Sequence, residues 1–151
     1  ISTADCLPIL LFDQKTEAIG AVHAGWRGTI ARIVTNVLHL MGQTFGTNPQ
    51  DLIIVISPCI SKRNYEVGEE LYDIFNKEGF PVSAIFSQYD KTEKFCLDLR
   101  EANKWLMKKS GIPENRIYIS DLCTFENSDT LFSARKHGIQ SGRMVSCLML
   151  M

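Results

Sequence analysis

Two apolar segments of equal length near the start of the chain constrain the fold most. They are LPILLFD (7–13) and AIGAVHA (18–24), joined by the polar tetrapeptide QKTE. Short apolar segments on either side of a polar loop predict the two strands of an antiparallel hairpin. A four-residue loop pairs Asp13 with Ala18, and this pairing sets the register of the whole hairpin.

The predicted register brings a cysteine and a histidine to one face of the sheet. Cys6 lies opposite Gly25, and His23 is the diagonal neighbour of Cys6, with about 7 to 8 Å between their backbones. Side chains of this reach can share one metal ion, but a slip of one residue would move them to opposite faces. Cys6 could also be a core thiol and His23 a buried imidazole, so the pair is a metal site, a nucleophile with its base, or neither.

The rest of the chain alternates between helical and strand patterns. Apolar residues recur at helical spacing from Thr29 onward, with Gly42 and Gly46 available to end that helix. We predict strands at 51–58, 81–88 and 115–121, a helix at 67–79, a short strand running into a helix capped by Asp98 within 95–111, and two strand-like pieces within 131–151 around a loop that holds Gly138 and Gly142. This mixture predicts a single α+β domain, with helices packed over a largely mixed sheet.

Composition narrows the classes of function. The 151 residues carry 16 Lys and Arg against 17 Asp and Glu. No general attraction to nucleic acid or to anionic membranes is therefore predicted, and an anionic ligand must be held by a local cluster. No apolar segment approaches the ~18 to 20 residues that span a bilayer. The five cysteines form no C-x-x-C pair and are odd in number, which is typical of reduced thiols in a cytoplasmic protein.

Six segments carry a resemblance to a known family: TADCLPILLFD, AVHAGWRGT, YEVGEEL, LDLREAN, DLCT and FSARKHGIQSGRM. In this order and spacing they resemble the laccase-domain family. That family was named multicopper polyphenol oxidoreductase and is associated with zinc-dependent purine nucleoside phosphorylase and adenosine deaminase activities. The resemblance runs over 1–151. It implies one catalytic domain with the layered α/β/β/α sandwich of the family, which is also similar to the catalytic domain of the cytotoxic necrotizing factors.

The resemblance implies that Cys6 and His23 are two of three metal ligands. The third is a histidine upstream of TADC, and no residue of this sequence matches it. Since the sequence begins at Ile1, we expect a domain that lacks its N-terminal segment, with mobile residues before Cys6 and an incomplete, inactive zinc site. A complete site would lower the pKa of a zinc-bound water toward ~7, for attack on adenosine, or would polarise a sugar or phosphate oxygen. Asp5 is predicted to bond a ligand imidazole or to cap the strand.

Phosphate requires cationic donors with a forked geometry. The available cluster is Arg27, directly after the hairpin, with Arg135, Lys136 and Arg143 around the C-terminal glycine loop. We predict a catalytic and substrate-binding role for Arg27, and substrate contacts for Arg135 and Arg143, with purine nucleosides and phosphate as partners. The alternatives are that Arg27 stacks on Trp26 at the surface, and that Arg143 forms an ion pair that fixes its own loop.

Other functions stay open at this point. A metal-free hydrolase would use Cys6 as its thiolate and His23 as the base. A copper polyphenol oxidase needs more imidazoles than His23, His39 and His137 supply, although copper could occupy the zinc site. Peptidoglycan-precursor editing and a simple binding module are also compatible with the sequence. His39 is predicted to be solvated, and His137 to lie at the surface or at the rim of the site.

Overall fold

The structure is a computed structural model that describes residues 1–88 and 94–151. Its strands are β1 (Ser2–Thr3), β2 (Leu7–Asp13), β3 (Ala18–Ala24), β4 (Leu52–Ile56), β5 (Glu66–Val67), β6 (Phe86–Gln88), β7 (Phe95–Leu97), β8 (Ile117–Ile119) and β9 (Met144–Val145). Its α-helices are α1 (Trp26–Ile30), α2 (Ile33–Phe45), α3 (Glu69–Lys77), α4 (Val82–Ile85), α5 (Leu99–Lys109) and α6 (Ala134–His137). Single 3₁₀ turns lie at Pro49–Asp51, Lys62–Asn64 and Glu114–Arg116.

The main sheet has the strand order β3-β2-β4-β8. β2 pairs antiparallel with β3 and with β4, whereas β4 and β8 are parallel. A second sheet has the order β5-β7-β6, and β1 pairs with β9. The predicted hairpin and its register are confirmed, because Asp13 pairs with Ala18 and Leu7 with Ala24. The predicted α+β class with mixed sheets is confirmed as well.

One face of the main sheet forms the core. Ile9, Leu11 and Ile54 are fully buried on that face, and α2 and α5 pack together over it. Alternate residues of the same strands point to the opposite face, where Leu10 is half-buried and Val55 is 41% exposed. The C-terminal residues 148–151 share a cleft with that opposite face.

The helix predicted from Thr29 to Gly42 or Gly46 is broken in two. α1 begins at Trp26, the chain turns at Arg32 with a left-handed φ of 55°, and α2 then ends at Gly46 with a φ of 70°. The left-handed backbone is unfavourable for an arginine. It is offset because the Arg32 guanidinium donates to the Glu78 carbonyl at 2.8 Å and lies 5.2 Å from the centre of the Phe80 ring. These partners are distant in sequence, so local periodicity does not indicate the break.

Two strand predictions are wrong in part. Within 81–88, the N–H groups of Ala84 and Ile85 donate to the Pro81 carbonyl at 2.9 and 3.2 Å, which makes the first half a helical turn before β6 begins. Within 131–151, the first predicted strand is replaced by α6, because the Ser133 hydroxyl caps the Lys136 N–H at 3.2 Å. The other predicted elements are present, and Asp98 caps α5 as predicted.

The first residues of the chain are held in the fold. β1 pairs antiparallel with β9, and the Ile1 ammonium group donates to the Ser146 carbonyl at 2.9 Å. The expectation that the residues before Cys6 lack partners, and are mobile for that reason, is therefore wrong. Among the described residues, no helix has the length and apolar character that a membrane span requires.

The hairpin loop is closed by a buried carboxylate at the end of β2. Asp13 is fully buried, and its Oδ1 accepts the N–H groups of Lys15 at 2.9 Å and Thr16 at 3.3 Å. Burial alone would raise the pKa of Asp13, but the hydrogen bonds from Thr16 and Lys15 outweigh it and lower the pKa. The charged form therefore stabilises the loop that sets the register.

We expect Asp13→Ala to lower the free energy of unfolding by about 1–3 kcal/mol at pH 7, since two N–H groups lose a charged acceptor. A lowered folded-state pKa stabilises the protein above the unfolded-state pKa, and this contribution is lost as the pH falls through the folded-state value. In urea unfolding, the difference from wild type should therefore shrink below about pH 4. Asp13→Asn, which keeps an acceptor without the charge, is the control and should cost less. A difference that does not depend on pH would contradict this assignment.

Candidate functional site

Cys6 and His23 lie on neighbouring chain segments at one end of the hairpin. His23 pairs with Pro8 in the β2–β3 ladder, and Cys6 directly precedes β2. By the two-residue alternation of strands, Pro8 and His23 share the face opposite the core, and continuing the same register to Cys6 predicts that face for it as well. His23 is exposed and Cys6 is half-buried. The register thus agrees with the predicted placement, while the roles of the two side chains stay predictions.

Gly25 leaves open space beside the Cys6 sulfur. A Cβ atom at Gly25 would stand 3.0 Å from Sγ of Cys6, closer than such atoms normally approach. The space next to the sulfur therefore depends on a glycine directly after β3. Burial raises the pKa of the Cys6 thiol, the Asp5 carboxylate raises it further, and the positive charge of Arg143 opposes them.

Cys6 also lines a cleft of about 330 Å³ at the carboxyl end of β3. Its walls are Ala4, Asp5, Cys6, Trp26, Ile60, Tyr65, Leu99, Ala134 and Arg135. Two aromatic rings and several aliphatic groups thus face one thiol, one carboxylate and one guanidinium. The volume lies in the range of about 300–1,000 Å³ that small-molecule sites occupy.

Asp5 holds three distant segments around this cleft, two through its carboxylate and one through its backbone carbonyl. Asp5 is 7% exposed and has a left-handed φ of 82°. Its Oδ1 accepts the Thr124 hydroxyl and its Oδ2 accepts the Arg135 backbone N–H, both at 2.6 Å. Its own carbonyl accepts the Ile60 N–H at 3.0 Å. The sequence-based prediction that Asp5 caps the strand or bonds a ligand imidazole is therefore wrong. Asp5 instead fixes the wall of the cleft.

Arg135 and Tyr65 form the outer wall. The guanidinium of Arg135 lies 5.0 Å from the centre of the Tyr65 ring and donates to the Glu66 carbonyl at 2.6 Å. Burial raises the pKa of Tyr65 to about 12, so its hydroxyl stays neutral at physiological pH. The structure thus places the charge of Arg135 against the Tyr65 ring, in the wall of the cleft that Cys6 also lines, while its contact with a substrate stays a prediction.

The other predicted arginines flank the cleft without lining it. The guanidinium of Arg27 stacks on Trp26 at 4.2 Å from the ring centre, as the surface alternative had it. Arg143 donates to the carbonyls of Ser141 and Gly142 and therefore fixes its loop through backbone groups, with no ion pair to another residue of 1–88 or 94–151. Its charge nevertheless acts on the Cys6 thiol. His23 also lies outside the lining of the cleft.

The remaining histidines and Lys136 lie apart from the cleft lining. His39 on α2 is exposed, as predicted, and so is His137 on α6. Lys136 donates to the Phe125 carbonyl at 3.3 Å. None of the three is among the residues that form the cleft.

Cys6 and His23 fit part of a zinc site. Thiolate sulfur and imidazole nitrogen are among the usual ligands of zinc, and a catalytic site normally has three protein ligands. Across residues 1–88 and 94–151, no group of three or more His, Cys, Asp and Glu side chains is placed to hold a metal ion. Cys6 and His23 would therefore be an incomplete ligand set among the described residues, and their role as zinc ligands stays a prediction.

Sequence reasoning missed three contributors to the cleft. It gave no binding role to Trp26 or Tyr65, although both lie in recognised motifs, and it assigned Asp5 to other partners. The partners of Asp5 lie 119 and 130 residues away in the chain. No local pattern could have indicated contacts over such separations.

The chain matches one protein-family model and several curated bacterial proteins. The model of the multi-copper polyphenol oxidoreductase laccase family matches residues 1–151. A purine nucleoside phosphorylase of Bacteroides thetaiotaomicron is 45% identical over 150 residues, which are 99% of this chain and 56% of the relative. Adenosine deaminase RL5, from an unknown prokaryotic organism, is 36% identical over 95% of this chain and 54% of its own.

Solved structures give a consistent result. The crystal structure of the hypothetical protein YfiH of Bacillus licheniformis has a TM-score of 0.87 at 31% identity, over 94% of this chain and 53% of the other. The crystal structure of YlmD from Geobacillus stearothermophilus has a TM-score of 0.85 at 29% identity, and the match again covers 94% of this chain and 53% of the other. This chain spans about half the length of the curated relatives it matches.

We expect Asp5→Ala to lower the free energy of unfolding by about 2–4 kcal/mol, because it leaves a buried hydroxyl and a buried N–H without an acceptor. Asp5→Asn should cost less, since its oxygen can still accept the Arg135 N–H while its amide donates to the Thr124 oxygen, and asparagine tolerates a positive φ. Thr124→Val is the matched control that removes one of the two bonds. Urea unfolding followed by circular dichroism gives the three values. A loss below about 0.5 kcal/mol for Asp5→Ala would contradict the proposed fixing of the cleft wall.

Proposed function

The chain belongs to the multi-copper polyphenol oxidoreductase laccase family, and we propose that it is the catalytic part of a zinc-dependent purine nucleoside phosphorylase that also deaminates adenosine. The observation that carries the proposal is the position of Cys6. This sulfur forms part of the wall of a cleft that also holds Trp26, Tyr65 and Arg135, while His23 lies on the same face of the hairpin. The names of the related proteins support the two activities.

We propose that Cys6 and His23 hold the zinc ion, with a third ligand from outside the described residues. When bound, zinc supplies a Lewis acid that activates water or polarises an oxygen of the substrate. Gly25 leaves the space beside the sulfur that an ion needs. The fixed strand pairing of His23 with Pro8 keeps the imidazole on the face of the hairpin that also carries Cys6.

The remaining side chains would bind and orient the substrate. Trp26 and Tyr65 offer flat apolar surfaces that suit a purine base. The cleft is surrounded by the positive charges of Arg27, Arg135 and Arg143. These charges attract phosphate and offset the repulsion between phosphate and the Asp5 carboxylate. Phosphorolysis needs this anion to be held next to the nucleoside, whereas deamination needs only water. One site could therefore support both reactions.

Two alternatives lose support from the geometry. A metal-free hydrolase requires a hydrogen bond between the Cys6 sulfur and the His23 imidazole, and none joins these side chains in the described structure. Burial and Asp5 also raise the pKa of the Cys6 thiol, which disfavours a free thiolate. A multicopper centre requires several converging imidazoles, whereas His39 is exposed on α2 and His137 on α6. The five free thiols support a cytoplasmic location.

In a protein that also supplies the third zinc ligand, we expect Cys6→Ala and His23→Ala each to reduce phosphate-dependent release of hypoxanthine from inosine to background. Each removes a proposed ligand and neither removes much of the core. Zinc content, measured by elemental analysis, should fall in parallel, while circular dichroism stays unchanged. His39→Ala and Cys147→Ala are matched controls, since both residues are exposed, and should keep full activity. Near-normal turnover in either ligand variant would refute the metal assignment.

Arg27→Ala should raise the KM for phosphate about 10- to 100-fold, which corresponds to the ~1.5–3 kcal/mol of a hydrogen bond to a charged group. Adenosine deamination by the same variant should change much less, because that reaction holds no anion. Arg27→Lys keeps the charge but loses the forked geometry, so its phosphate KM should be intermediate. Equal losses in the two reactions would instead assign Arg27 to shaping the site.

A further inference from the structure

Two buried cysteines outside the proposed site lie side by side. Cys59 follows β4 and Cys123 follows β8, and the two residues form an isolated parallel β-bridge beyond the ends of those strands, shifted by one residue from their register. Neighbouring strands lie about 4.8 Å apart, and paired residues in a parallel ladder point to the same face. That separation falls in the range of about 4.4–6.8 Å between the Cα atoms of disulfide-bonded cysteines.

The surroundings of Cys123 favour its thiolate. The Ser61 N–H donates to its sulfur at 3.2 Å, and the side-chain amide of Asn64 lies 3.6 Å away. Burial raises the pKa of Cys123, but hydrogen bonds from Ser61 and from the backbone of Glu126 and Phe125 outweigh burial and lower it. A thiol that is deprotonated more readily than usual reacts faster with a peroxide that reaches it, and because Cys123 is only 2% exposed, only a small hydroperoxide suits this position.

Cys59 has a different environment. Nε of Arg100 donates to its sulfur at 3.1 Å, and the same guanidinium donates to the carbonyls of Cys59 at 3.2 Å and Leu122 at 2.8 Å. Arg100 therefore joins the two strand extensions and keeps Cys59 beside Cys123. Burial raises the pKa of Cys59 to about 11 although Arg100 opposes it. Cys59 is thus the less reactive of the two thiols toward a peroxide, and its place beside Cys123 is what lets it resolve an oxidised Cys123.

We propose that Cys59 and Cys123 are a reversible oxidation site that a hydroperoxide converts to a disulfide. The Cys123 thiolate attacks the terminal oxygen, the O–O bond breaks, and the sulfenic acid of Cys123 forms with release of an alkoxide or hydroxide. The Cys59 sulfur then attacks the Cys123 sulfur, the S–O bond breaks, and water leaves with the Cys59 proton. The sum is two thiols and one hydroperoxide giving a disulfide, water, and an alcohol or a second water.

A disulfide at this position is reversible, because an external thiol can reduce it by thiol–disulfide exchange. The other thiols lack this arrangement in the described structure. Cys96 donates to the Arg63 carbonyl at 3.9 Å, and Cys147 is exposed.

The oxidation site is linked to the cleft through one residue. Thr124, next to Cys123, donates its N–H to the Cys59 carbonyl at 3.1 Å and its hydroxyl to Asp5. A change at the Cys59–Cys123 bridge therefore acts on the bond that fixes the cleft wall. The proposal itself does not depend on the proposed enzymatic activity.

The test is peptide mapping of the native protein after treatment with hydrogen peroxide and alkylation of the remaining thiols. We expect a peptide pair linked through Cys59 and Cys123, lighter by two hydrogens, that dithiothreitol separates again. Cys59→Ser should stop the reaction at the sulfenic acid of Cys123, which dimedone labels. Cys96→Ser is the matched control for a buried thiol and should leave the linked pair unchanged.

Two results would overturn the proposal. In the first, peroxide oxidises the exposed Cys147 fully, but Cys59 and Cys123 remain reduced and are both alkylated once the protein is unfolded. The other is a linked pair that appears in urea-unfolded protein as readily as in folded protein, since the bond would then not depend on the fold. Because both results are read from the wild-type chain, the test holds even if Cys59→Ser fails to fold.

Discussion

The buried carboxylate of Asp5 is the interaction on which the arrangement of the cleft depends. A buried charge is costly unless each of its oxygens is paired. Asp5 meets this condition through the Thr124 hydroxyl and the Arg135 N–H. The same bonds fix the residue directly before Cys6 against two segments from the other end of the chain. The bonds that join the two ends of the chain are therefore the same bonds that set the geometry of the cleft.

The part of the fold that follows from sequence is the part set by local periodicity. The two apolar segments 7–13 and 18–24, together with the length of the loop between them, predict the register that places Cys6 and His23 on one face. Helices with a continuous apolar stripe, such as α3 and α5, are predicted for the same reason. In each case the information lies within about a dozen residues of chain.

Prediction fails where a distant partner decides the conformation. Arg32 breaks a helix because its guanidinium reaches Glu78 and Phe80. The segment after Leu131 is an exception, because its helical turn is capped locally by the Ser133 hydroxyl, which accepts the Lys136 N–H. The site follows the same division. Cys6 and His23 could be identified from motifs and register, whereas Asp5 and Tyr65 acquire their roles from residues that no local pattern connects to them.

The arginines show how a nearly neutral chain can still present positive charge to a ligand. Arg27 stacks on Trp26, and Arg135 stacks on Tyr65. Stacking uses the flat face of a guanidinium and leaves its edge, which carries the N–H groups, directed outward. The side chain is thereby ordered before any anion arrives, so less conformational entropy is lost on binding. Aromatic residues next to arginines therefore serve two purposes in this cleft, since they form its apolar surface and hold its cations in place.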